Sequence, residues 1–165
     1  MKPYPFLVFT VSALVLTCGI SSMAAEPETS TPLLVQGYTP GLGEFMSAIQ
    51  ARHAKLWFAG KGKNWPLAAY ELDELNEAFE DAAKYQPEFK GKPIAKIIEP
   101  MTAEPVAQLE KAIEAKDSIR FVRAYDSLTH ACSACHQATD HGFISIQRPT
   151  FPPLTNQRFS LGRQP

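Results

Sequence analysis

From Phe121 onward the apolar residues recur at the spacing of one helix face. Phe121, Tyr125, Leu128, Cys132 and Cys135 step by four, three, four and three, so a helix over this stretch carries one continuous stripe. The stripe runs into the pentapeptide Cys132-Ser133-Ala134-Cys135-His136. A fold built on this helix therefore brings two thiols to its core, with an imidazole immediately beside them.

Cys-x-x-Cys-His is the attachment pattern of a c-type haem. Two thiols at this spacing can each add S–H across a vinyl C=C of the same porphyrin, leaving two thioethers, and the next imidazole can reach the iron. Cys132 and Cys135 are then the covalent anchors of one haem c, and His136 is the proximal iron ligand. Two other chemistries use a Cys-x-x-Cys pair: thiol redox exchange, and half of a zinc site to which His130 and His141 could contribute. A redox pair usually follows a strand, and zinc would need its whole ligand set from this one segment. The surrounding residues support neither.

The opposite end of the chain reads as an export signal over residues 1–24. Lys2 supplies a positive start, Phe6 to Thr17 an apolar run, and Ser22-Met23-Ala24 a small-x-small cleavage site. The run is too short for a comfortable membrane span, so no stable anchor is expected. A lipid-attachment reading through Cys18 is disfavoured by the bulk of the preceding Thr17. Covalent haem is attached on the far side of an energy-transducing membrane, so the signal and the pentapeptide agree on a periplasmic location. Residues 25–40 read as a polar leader, 41–141 as a haem-binding helical domain and 142–165 as an extended tail.

About 140 residues remain after cleavage, enough for one domain with a core and one macrocycle. The net charge of −1 carries no nucleic-acid signature. Glu71, Asp73, Glu74, Glu77, Glu80 and Asp81 crowd one helical segment, whereas the tail holds Arg148, Arg158 and Arg163 and no acid. The acidic run could meet a basic partner, but solvated charge is its commoner explanation.

The mature domain reads as helical nearly throughout. Leu42, Phe45, Met46, Ile49, His53, Leu56 and Trp57 mark a first helix that Gly60 to Gly62 stops. Asn64 can cap a second, with Pro66 in its first turn and a stripe of Ala68, Leu72, Leu75, Phe79 and Ala82. Pro100 and Pro105 are expected to break the third segment into a short turn near Ile94 to Ile98 and a helix carrying Val106, Leu109 and Ile113. The haem-motif helix is the fourth. Four amphipathic segments without strand alternation predict an all-α, antiparallel four-helix bundle.

A bundle of this size with its attachment run near the end of the last helix resembles the class II cytochromes c, the cytochrome c-prime-like family. The likeness spans about Leu42 to Ala138 and is one of layout; in sequence it rests on Cys132, Cys135 and His136. The resemblance implies a homodimer through the first two helices. It also implies that the first helix supplies whatever stands over the distal face of the haem. In that family a methionine ligand there makes the iron low-spin and suited to electron transfer, and an apolar residue leaves it five-coordinate and open to small gases.

Met46 and His53 lie two turns apart on one face, so only one can hold that position. His53 is favoured because it interrupts an apolar stripe, where an unligated imidazole would need a hydrogen-bond partner; Met46 competes as a ligand or as core filler. Met101 and His141 are further alternatives. The expected function is one-electron transfer to an unidentified periplasmic redox partner, with a gas-binding or sensing haem module as the alternative. No nucleophile with its base and no phosphate-cradling loop suggests an enzyme, and a peroxidase-like activity would need an open site with a distal acid or base.

The remaining signals are smaller. Arg120 and Arg123 could neutralise haem propionates or pair with nearby acids. Trp57 and Trp65 read as packing. The tail, with Pro149, Pro152 and Pro153, is expected to be extended; Phe143, Ile144, Ile146, Phe151 and Phe159 give it apolar surface with which to dock.

Overall fold

The structure is a computed structural model and describes residues 37–152 and 156–161. The export signal, Cys18 and most of the leader lie outside the described residues. Four helices follow in order: α1 Leu42–Lys61, α2 Trp65–Tyr85, α3 Ile94–Glu114 and α4 Ser118–Ala138. They pack against one another, and there is no strand among the described residues, only an isolated bridge between Phe89 and Lys92. No helix among them is long and apolar enough to cross a membrane.

The helix ends explain the tight corners. Lys63, Lys116 and Asp140 each take a left-handed backbone, with φ of 53°, 52° and 63°. At each, two backbone N–H groups turn back onto free carbonyls of the preceding helix: Asn64 to Ala59, Asp117 to Ala112 and His141 to His136 span five residues, and the other bond of each pair spans three. This is the pattern that satisfies the last orphan carbonyls of a helix. The Asn64 side chain caps α2 at Leu67 N, with Pro66 in the first turn, and Asp117 Oδ1 caps α4 at Ile119 N and Arg120 N.

The third segment departs from expectation. α3 runs unbroken through both Pro100 and Pro105. Pro100 is exposed, so the carbonyl that its missing N–H leaves free can bond water, while Ile94, Ile98, Thr102, Leu109, Ala112 and Ile113 stay buried along the other face. Thr102 adds a hydroxyl bond to the Ile98 carbonyl, 2.9 Å. Burying such a stripe gains about 1.5–3 kcal/mol per large side chain, which offsets the roughly 3 kcal/mol that an interior proline costs.

Packing is extensive between α1 and α2, α2 and α3, and α3 and α4, and sparser between α1 and α4. Those two helices close at one end only. Gly60 of α1 lies so near the Phe121 ring of α4 that a Cβ there would overlap it. Trp57 packs on Tyr125 at 4.8 Å with the rings tilted by 41°, and Trp65 meets Phe121 edge-on at 6.0 Å. Toward the start of α1 and the end of α4 the same helices leave a cavity between them.

The acidic run on α2 is not simply a solvated face. Glu71 is buried, at 1 % exposure, and points at α1, where Arg52 Nη1 bonds it at 3.2 Å. The other arm of Arg52 reaches Glu74 at 2.6 Å.

Candidate functional site

The cavity between α1 and α4 measures about 320 Å³, inside the range of about 300–1,000 Å³ usual for cofactor pockets. Cys132, Cys135 and His136 of α4 lie on one wall, and Met46, Ile49 and His53 of α1 on another. Phe79, Phe89, Ile94 and Ile98 close it with apolar surface. A second hollow, of about 350 Å³, lies near the Gly60 end between Lys61, Lys63 and Arg123. It has no thiol or imidazole on its wall.

Helix geometry accounts for the donor set. Cys132 and Cys135 are one turn apart, and His136 is one turn from Cys132, so one face presents all three. The thiols are unbridged. Burial pushes the Cys132 thiol up to about 12, and burial also raises that of Cys135. Both are held as S–H, the reverse of the lowered values that mark thiol-exchange cysteines. Among the described residues no three His, Cys, Asp or Glu side chains converge as a metal-binding group.

His136 is oriented from behind. Its Nδ1 donates to the carbonyl of Ile144 at 2.8 Å, which leaves Nε2 as the lone-pair nitrogen. That is the arrangement commonly found for a metal-ligating histidine. Two protonated thiols, an apolar wall and a back-bonded imidazole make a donor set into which a covalently attached haem fits.

The two α1 candidates differ in what they already bind. His53 is buried, with both ring nitrogens engaged by α4. Thr129 Oγ1 gives its proton to the Tyr125 carbonyl at 2.8 Å, so the 3.0 Å contact with His53 Nε2 has the histidine as donor. Nδ1 then accepts from the Tyr125 hydroxyl at 2.9 Å, a proton shared with the His53 carbonyl at 3.0 Å. Burial pushes the imidazole down to about 4, which keeps it neutral and matches this tautomer. Met46 is half-buried on the cavity wall and its thioether has no hydrogen-bond partner among the described residues.

Other candidates are sorted by position. His141 reaches the cavity rim, its Nδ1 donating to the Thr139 carbonyl at 2.6 Å. Met101 and the exposed His130 do not line the cavity. Arg120 pairs with Asp117 at 3.3 Å, and Arg123 lines the other hollow, so neither faces the thiols. The tail divides: Ile144 and Ile146 lie on the cavity, Phe159 packs on Phe58 at 5.7 Å, and Phe143 and Phe151 are 82 % and 80 % exposed.

The sequence reading missed Thr129, the Tyr125 hydroxyl, Ser133 and the Ile144 carbonyl. A polar residue one turn after Tyr125 on a buried stripe was a usable signal for Thr129; a backbone carbonyl has none. Compared with known proteins, the chain matches no family model, no curated protein and no solved structure at a significant level.

Proposed function

We propose that the chain is an exported monohaem c-type cytochrome of the class II kind, carrying one electron at a time to a periplasmic partner. The observation that carries this reading is the His136 Nδ1 bond to Ile144, set beside two half-buried thiols on one apolar cavity. Cys132 and Cys135 would hold the haem as thioethers and His136 would ligate its iron. When bound, the haem supplies a ferric–ferrous couple whose potential follows axial ligands and burial. The chain's own part is to orient His136, to exclude water with Phe79, Phe89, Ile94 and Ile98, and to offer a sixth ligand from α1.

For that ligand the geometry favours Met46 over His53. Freeing His53 would break its ring bonds to Thr129 and Tyr125, each worth about 0.5–1.5 kcal/mol; Met46 breaks no hydrogen bond by binding. Visible spectra of the exported protein, oxidised, reduced and with carbon monoxide, test the reading. A covalent low-spin haem indifferent to the gas is expected. Met46→Ala should turn it high-spin and gas-binding, while His53→Ala leaves it low-spin. A wild-type haem that takes up the gas would instead support the sensing module, and a chain without covalent haem would remove the cytochrome reading altogether.

A further inference from the structure

After α4 the chain does not leave the domain. The left-handed turn at Asp140, held by Lys92 at 2.9 Å, reverses it. Residues 142–148 then run back along α4. Three contacts fix this return. The Ile144 carbonyl accepts from His136 Nδ1 at 2.8 Å. Ser133 Oγ accepts from Ile146 N at 3.0 Å and donates to the Ile146 carbonyl at 3.3 Å. Arg148 grips Asp126 of α4 with two nitrogens, Nε to Oδ1 at 2.6 Å and Nη2 to Oδ2, and its guanidinium lies over Trp57 of α1 at 5.0 Å. Ser133 is the first variable position of the pentapeptide. Its hydroxyl therefore ties the tail to the same turn of helix that bears both thiols and the imidazole.

Building on the haem reading above, we propose that residues 142–148 form a strap that positions His136 and sets its strength as a ligand, with Ser133 and the Asp126–Arg148 pair as its fastenings. A backbone carbonyl on Nδ1–H fixes the ring tautomer and makes Nε2 a better electron donor. A better donor stabilises ferric over ferrous iron and lowers the reduction potential. Ser133 and Arg148 are positioning residues: neither is among the iron-ligand candidates, and both act by keeping the Ile144 carbonyl in place. Arg148 is half-exposed, so its ion pair alone is a weak fastening, whereas a bidentate pair combined with the Ser133 bonds holds the far end of a short segment whose near end is set by the Asp140 turn.

The test compares wild type with Ser133→Ala/Arg148→Ala and with the conservative pair Ser133→Thr/Arg148→Lys. Covalent haem is confirmed first by mass, so that loss of the cofactor is not mistaken for loss of the strap. The expected result is a raised midpoint potential in the double alanine variant, with haem still attached and helicity unchanged, and a return toward the wild-type value in the conservative pair. In the haem-free chain, nitrogen NMR of His136 should show the Nδ1–H tautomer in wild type and a mixture in the double alanine variant. An unchanged potential in a haem-bearing variant would overturn the strap and leave the cytochrome reading standing. So would an Nε2–H tautomer already present in the haem-free wild type. Haem lost from the alanine variant alone would also overturn it, because the segment would then serve attachment rather than tuning. A wild type without covalent haem would fell the cytochrome reading and the inference together.

Discussion

At the Gly60 end, α1 and α4 lie against each other through Phe121, Tyr125 and Trp57; at the Met46 end the same two helices stand apart around a cavity. The difference comes from what each helix contributes at each level. A residue without a side chain opposite an aromatic ring lets the backbones approach. One turn further along, His53, Tyr125 and Thr129 bridge the pair by hydrogen bonds. Beyond them, the thiols, Met46 and Ile49 line space instead of filling it. A single pair of helices thus acts as a hinge of fixed opening: the packed end brings the backbones together, and the open end leaves a cavity lined by the thiols, Met46 and Ile49.

The largest effect belongs to the open end. On the proposed cytochrome reading, replacing both Cys132 and Cys135 with serine should abolish covalent haem, read as loss of the haem mass from the denatured protein, and either single change should leave one attachment. Haem that survives the double change would show that the cavity does not work through its thiols.

The bridge between the two ends should show in acid. The folded His53 value, about 4, lies below its ordinary 6.5, so unfolding takes up a proton between these limits. Stability from this group is therefore complete above about 6.5, declines as the pH falls, and levels off below about 4; the full loss is roughly 3 kcal/mol. Denaturant unfolding of the haem-free chain across that window, compared with His53→Gln, isolates the contribution. Equal slopes in the two proteins would mean that His53 is not held as a buried neutral ring.

A smaller effect is expected at the packed end. Gly60→Ala should destabilise the fold by about 1–3 kcal/mol through overpacking against Phe121. If Gly60→Ala leaves the melting curve in place, close approach of α1 and α4 is not what Gly60 provides. The smallest effect is expected on the tail: Phe143→Ser, at an exposed ring, should change stability by less than about 0.5 kcal/mol. A larger loss would mean that the ring is covered in the folded protein.

Much of this layout was legible in the sequence, and the parts that were not share a cause. The stops at Gly60 to Gly62, the Asn64 cap and the stripe from Phe121 to Cys135 all concern neighbours a turn or two apart, and the helices follow them. The prolines of α3 misled because a local rule was applied to a helix whose buried face outweighs it. The preference for His53 rested on its need for a partner once buried; that need was correctly read, but two hydrogen bonds to α4 meet it.

The amino-acid order alone determined that one helix face carries Cys132, Cys135 and His136, because a spacing of three and four residues fixes relative direction without any help from the rest of the fold. Only the tertiary structure decided which α1 residue has a donor to spare, and that a carbonyl eight residues downstream would steady the imidazole. The bonds that occupy His53 join residues 76 and 72 positions apart. Such pairings depend on how whole helices dock, and on backbone groups that every residue possesses, so no side-chain pattern announces them.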